Sequence, residues 1–162
     1  MKVTRPPAHD PVVQELCAEQ QAELAFRQRD VVDDTPKHLD PRIAFVLLWS
    51  GREGVGGQAV GCAGLQPLEP GVGEVKRMYV RPAARGRGLS RRLLTEVEAM
   101  AGERGIHTLR LETGRLFTEA IGLYTAAGYV RIPRFGPYAG CAESVCFEKR
   151  LGAPQDAATL GA

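Results

Sequence analysis

"VRPAARGRGLSRRLLTEVEAMA", residues 80–101, is the stretch on which the reading of this chain turns. Seven residues, Arg85 to Arg91, hold three arginines and two glycines directly ahead of an apolar helical pattern. Pro82 closes the strand-like run before them. After them Leu89, Leu93, Leu94, Val97 and Met100 recur at helical spacing, predicting a helix over 89–103 that Gly105 stops. A strand, a glycine loop and a helix in succession leave several N–H groups unpaired at the helix N-terminus. The helix dipole adds partial positive charge there, and glycine removes the Cβ that would block close approach. Such a seat takes phosphate or pyrophosphate through the backbone. Arg85, Arg87 and one of Arg91 or Arg92 would add charge-assisted contacts. The competing reading is a solvated basic turn.

Outward from this stretch the elements alternate. Residues 1–4 read as a short first strand, and Asp10 caps a helix that begins at Pro11 and runs to about residue 29. Val13, Leu16, Cys17, Gln20, Leu24 and Phe26 form its stripe. A loop with Asp30, Asp33 and Asp34 follows. Strands at 42–49, 58–68 and 74–80 make a meander, with turns at "GREGVGG" and "EPGVG". Beyond the central helix come a strand at 106–113, a helix ended by Gly128, a strand at 129–132, the loop "PRFGPYAGCAE" and a last strand at 144–151. The order predicts a mixed α/β fold. Gly54-x-Gly56-x-x-Ala59 resembles a dinucleotide fingerprint, but it sits between two strands and reads as a hairpin turn.

The 162 residues, 44% hydrophobic and 25% charged, suit one domain over residues 1–151 with a small-residue tail over 152–162. A net charge of +2 argues for neither nucleic acid nor membrane, so the basic preference is local. Cys17, Cys62, Cys141 and Cys146 form no CxxC pair and no metal-like spacing with His9, His38 or His107. No metal is expected. With no apolar leader and no membrane-length run, the chain reads as soluble, reduced and cytoplasmic.

Arg85-Gly86-Arg87-Gly88-Leu89-Ser90, after Val80-Arg81-Pro82, resembles the pyrophosphate loop [RQ]-x-x-G-x-[GA] of the GNAT superfamily of acyl-CoA-dependent N-acetyltransferases. Ser90 stands where the family has Gly or Ala. "AIGLYTAAGYVRI" is similar to its A-x-x-x-Y-x-x-x-G-[FY] motif, placing Ala120, Tyr124, Gly128 and Tyr129; Phe117 occupies a position often held by Asn. The resemblance covers about residues 43–151. "VKRMYVRP", "LRLETG" and "FGPY" narrow it to a bacterial subgroup with no assigned substrate.

The resemblance implies a mostly antiparallel central sheet, flanked by helices, with a splayed cleft for acetyl-CoA beside the 74–80 strand. Main-chain groups of Met78, Tyr79 and Val80 would bind pantetheine, the Met78 N–H would meet the oxyanion, and residues 85–91 with Phe117 would complete the coenzyme site. Tyr124 is implied as the acid near the sulfur; the alternative is a tyrosine packed on its helix face. Glu74, eleven residues before Arg85, is the first candidate base. Glu112 is its rival. Alternation against Leu109 and Leu111 puts Glu112 on one face with Arg110, so an ion pair with Arg110 or Arg77 is the other reading. His107 reads as a strand-start residue.

Asp33 and Asp34 are candidates for a cationic substrate or are solvated. Arg134 is a candidate for a carboxylate, with Phe135 and Tyr138 as an aromatic wall. The leading expectation is direct acetylation of a small-molecule amine, without nucleic acid or membrane partners; a homodimer stays open. A protein lysine or N-terminal acceptor, and a non-catalytic acyl-CoA sensor, are the alternatives.

Overall fold

Apolar residues on successive positions of a strand require cover on both faces, and the second strand of the sheet has it. The computed structural model describes residues 1–27, 39–52 and 55–152. In it β1 (Lys2–Thr4) pairs antiparallel with β2 (Ala44–Arg52), and β2 with β3 (Val55–Glu69). Phe45, Val46, Leu47 and Leu48 on β2 are all buried. Both strands are longer than expected, so the anticipated turn at residues 51–57 is mostly sheet. Gly56 and Ala59, read as part of a hairpin turn, are instead strand residues of β3.

Pro70 and Gly71 turn the chain into β4 (Val72–Val80). Gly71 has φ 78°, and a Cβ there would run into the His107 ring, so nothing larger fits. Then follow α2 (Leu89–Glu103), β5 (Thr108–Gly114), α3 (Thr118–Ala126), β6 (Val130–Ile132) and β7 (Ser144–Arg150). With α1 (Pro11–Arg27) they give a mixed α/β fold: a mostly antiparallel seven-stranded sheet, order β1-β2-β3-β4-β5-β7-β6, flanked by helices. β4 and β5 run parallel. Their register pairs Val72, Gly73 and Glu74 with Thr108, Leu109 and Arg110, and ends there. No described helix is long and apolar enough to cross a membrane.

The chain divides into two compact units, Met1–Gln66 with Lys76–Val97 and Pro67–Val75 with Glu98–Ala162, so β3, β4 and α2 contribute to both. In the first unit Asp10 Oδ1 accepts the N–H of Val12 at 2.8 Å and caps α1. Val13, Leu16 and Cys17 bury that helix against Phe45, Leu47 and Cys62. Phe26, expected in the same stripe, is 66% exposed instead. At 3.6 residues per turn it lies roughly 220° round the helix from Val13, on the far side. Gly61 on β3 is needed for close packing, since a Cβ there would sit 2.8 Å from the Tyr79 carbonyl oxygen.

In the second unit Leu109 and Leu111 are buried, and Arg110 and Glu112 occupy the opposite face, as alternation predicted. Register carries that face onward: Glu112 pairs with Cys146, and Cys146 with Ile132.

Candidate active site

The basic turn folds as its glycines require. A single helical turn, Pro82–Ala84, follows β4, and then Gly86 and Gly88 take φ 79° and 72°. Both values lie in the left-handed region that residues with a Cβ avoid. A Cβ built on either meets nothing within 4 Å, so the backbone faces open space. The first α2 hydrogen bond runs from Arg92 N–H to the Gly88 carbonyl at 3.1 Å. The N–H groups of Leu89, Ser90 and Arg91 therefore have no acceptor within the helix. Leu89 turns its side chain into the core, while Arg87 and Arg91 are exposed. This donor set fits a pyrophosphate.

Arg85 has a different role from the one its sequence position suggested. Its two terminal nitrogens reach the Glu23 oxygens at 2.8 Å each, and its Nε donates to the Val80 carbonyl at 2.9 Å. The guanidinium also lies 5.7 Å from the Tyr79 ring centre. Arg85 hydrogen bonding holds the Glu23 carboxyl below its ordinary range. Arg85 thus ties the loop to α1. The same helix face continues the pattern, because Arg81 binds Glu19 at 2.8 Å and Glu15 at 2.9 Å. Tyr79 donates to Glu19 at 3.3 Å, which commits its hydroxyl. Glu15, Glu19 and Glu23, four apart, were a visible helical signal that the sequence reading left unused.

Sequence reading also missed Gln20 and Arg77. The Arg81 N–H donates to the Val60 carbonyl, and the Tyr79 carbonyl faces Gly61, so both groups turn towards β3. Strand alternation turns the carbonyls of Met78 and Val80 the other way. Gln20 Nε2 donates to the Met78 carbonyl at 2.8 Å, as Arg85 does to Val80. Two carbonyls assigned to pantetheine by resemblance thus carry side-chain donors. Arg77 has φ 56°, a left-handed turn within β4, and its carbonyl accepts from the Cys62 thiol at 3.3 Å.

The second unit holds the acid–base candidates. Glu74 is only 3% exposed, and the Tyr138 hydroxyl donates to its Oε2 at 2.6 Å. Tyr138, expected as a wall for substrate, instead spends its polar end on the carboxylate. Burial first, then the Glu74 and Glu112 charges, push the Tyr138 phenol far up. Phe135 packs edge-on against Tyr138 at 5.3 Å, and the Arg110 guanidinium covers Phe135 at 5.7 Å. Arg110 bonds Glu148 at 3.0 Å and approaches Glu69 at 3.7 Å.

Tyr124 is buried, and its hydroxyl has no hydrogen-bond partner among the described residues. Burial and, secondarily, the Glu112 charge push its pKa up to about 12, so it is a proton donor at neutral pH. The rings of Tyr129 and Phe147 hold it, at 6.0 and 6.5 Å. Tyr129 donates to Glu98, which also binds Lys149 at 2.9 Å. Gly128, φ 92°, lets the chain turn out of α3 into β6. Phe117 is half-buried at the start of α3 and makes no side-chain cap.

Arg134 lines a cavity of about 390 Å³ with Arg131, Ile132, Pro133, Val145 and Cys146. His107 precedes β5 as expected, its Nδ1 2.8 Å from Thr108 Oγ1. Asp33 and Asp34 lie outside the described residues. No group of three or more His, Cys, Asp or Glu among the described residues could hold a metal ion.

The model of the Acetyltransferase (GNAT) family matches residues 12–129. The chain belongs to this family. It is 43% identical over 96 residues to an IAA acetyltransferase of Azospirillum brasilense, a match covering 59% of this chain and 63% of that protein. It is 37% identical over 99 residues to the uncharacterized N-acetyltransferase YjgM of Escherichia coli K12, covering 59% and 57%. The chain thus spans about three fifths of the length of these two curated relatives. Among solved structures, a Klebsiella pneumoniae protein described as an acyl-CoA N-acyltransferase matches with TM-score 0.77 and 34% identity, covering 93% of this chain and 97% of that one. A GNAT-family acetyltransferase of Staphylococcus aureus Mu50 shares the fold, at TM-score 0.71 and 19% identity over 93% of this chain.

Proposed function

We propose that this chain moves an acetyl group from acetyl-CoA to the primary amine of a small molecule by direct attack, with residues 1–151 acting as one catalytic domain. The observation that carries this is the left-handed Gly86–Gly88 loop, open to solvent and set before the unpaired N–H groups of α2. Family membership supports the choice of donor, and relatives named N-acetyltransferases support the reaction.

Bound acetyl-CoA would supply an activated acyl carbonyl. The N–H groups of Leu89, Ser90 and Arg91 would hold its pyrophosphate, and Arg87 and Arg91 would add charge. Arg85 positions that loop through Glu23. The β4–β5 register ends at Glu74, which supports the main chain of Met78, Tyr79 and Val80 as the pantetheine edge. Glu74, held in place by Tyr138, takes the proton from the acceptor ammonium. Tyr124 gives its phenolic proton to the departing sulfur. Glu112 strengthens the acidic surroundings in which a cationic amine is held.

The reading is tested by titrating acetyl-CoA calorimetrically and then measuring thiol release with a broad amine panel. Binding together with thiol release from a small amine is expected. Failure to bind acetyl-CoA overturns it. Binding without thiol release from any amine turns the protein into a sensor.

A further inference from the structure

β4 departs most sharply from strand geometry one residue before the main chain assigned to the coenzyme. Arg77 has φ 56°, and it is the one non-glycine residue with a positive φ among the described residues. Crowding of the Cβ makes that conformation unfavourable for an L-residue. It persists only where the surrounding structure over-determines it. Gly71 takes the same torsion freely at a turn, whereas Arg77 stands within the strand Val72–Val80. A left-handed residue there breaks the regular alternation and re-aims the peptide that follows.

Two side chains from other elements of the first unit hold this stretch. The Cys62 thiol on β3 donates to the Arg77 carbonyl at 3.3 Å, and Gln20 Nε2 on α1 donates to the Met78 carbonyl at 2.8 Å. Cys62 is fully buried, in one core cluster with Leu16, Cys17 and Leu47. Cys17 hydrogen bonds with the same thiol. Cys62 has one hydrogen and a carbonyl can only accept, so both bonds form together when Cys17 donates to Cys62 and Cys62 to Arg77. A buried thiol ordinarily packs as a small apolar group. This one also grips a backbone carbonyl at the strained residue. The Arg77–Met78 peptide is trans and planar, so its C=O and N–H point in opposite directions. With the carbonyl held on the core side, the Met78 N–H is aimed away from Cys62. A hydrogen bond at the carbonyl also polarises the peptide and strengthens its N–H as a donor. A backbone N–H aimed in advance at developing negative charge is what acyl transfer requires.

We infer that Cys62 is a positioning residue for acyl transfer: its thiol sets the Arg77–Met78 peptide, whose N–H meets the oxyanion of the acetyl group under attack. This inference rests on the acetyl-transfer reading above. Cys62 acts through the peptide and touches no reacting atom, while Gln20 fixes the peptide that comes next.

The test compares the native chain with C62A, which removes the donor, and C62S, which keeps one. With the best amine of the panel, kcat for thiol release should fall about tenfold in C62A, part of the roughly hundredfold cost of losing an oxyanion donor outright. C62S should stay within about threefold of the native chain, since its hydroxyl restores the hydrogen bond. Acetyl-CoA affinity measured by calorimetry should hold in both variants. In the free protein, the Met78 amide resonance should shift in C62A and return in C62S, a readout that needs no turnover. An unchanged kcat or Met78 resonance in C62A, or a C62S as slow as C62A, overturns this inference alone. So does a loss of acetyl-CoA affinity that matches the loss of kcat, which would make Cys62 a core residue only. No thiol release by the native chain with any amine overturns acetyl transfer, and this inference with it.

Discussion

The loop at residues 85–90 and the loop at 133–143 are built in opposite ways. The first owes its shape to its own residues: two glycines at φ 79° and 72°, a proline-led turn before them and a helix after them. The second has the left-handed Gly136 and one short turn, but its position is set by side chains reaching distant strands. Tyr138 meets a carboxylate 64 residues away. A backbone shape held by its own torsions can be encoded in a short local motif, whereas a loop held by distant side chains cannot.

The comparison breaks most completely at Gly88. Gly88→Asp places an L-residue at φ 72° and a negative charge where phosphate would lie. Acetyl-CoA affinity measured by calorimetry should fall by more than about a hundredfold, a loss of about 2.8 kcal/mol. Unaltered affinity would remove the phosphate seat from the argument. Tyr124→Phe comes next. It should lower kcat roughly a hundredfold, the scale of a lost general acid, with acetyl-CoA affinity retained. Because burial raises the native phenol to about 12, Tyr124 stays protonated through the neutral and mildly alkaline range. The native pH–rate profile should therefore show no loss from this group below about pH 10.

Smaller effects sharpen the contrast. Tyr138→Phe removes the hydroxyl that donates to Glu74 Oε2. With that carboxylate no longer anchored, kcat/KM should fall by about threefold to tenfold, the scale of one charge-assisted hydrogen bond. Acetyl-CoA affinity should stay where it was. Unchanged kcat/KM would leave Tyr138 with a packing role only. Glu23→Gln is the mildest change, since the Glu23 and Arg85 side chains are 28% and 37% exposed. A pair so open to solvent is worth about 0.2–1 kcal/mol. Acetyl-CoA affinity should weaken at most about fivefold, with kcat intact. A far larger effect would mean that Arg85 leaves Glu23 to contact phosphate directly.

Much of the frame was legible. The helix over Leu89–Glu103, its glycine stop, the Asp10 cap and the strand alternation of Leu109 to Glu112 follow from preferences that act over a few residues. What could not be read were partners. Arg85 read as a phosphate ligand from its place in the glycine loop, yet its guanidinium is held by Glu23, 62 residues earlier. Phe26 looked like a core residue because the helix pattern drifted, and only the packed helix shows which side faces the sheet.

By itself the sequence determined the order of elements and the left-handed glycine loop ahead of α2, because glycine torsions, caps and apolar periods are local free-energy preferences. Only the tertiary structure decided which arginines are committed to carboxylates, and which tyrosine holds the buried Glu74. Those outcomes depend on closing the chain over some sixty residues, where burial and charge pairing are settled together.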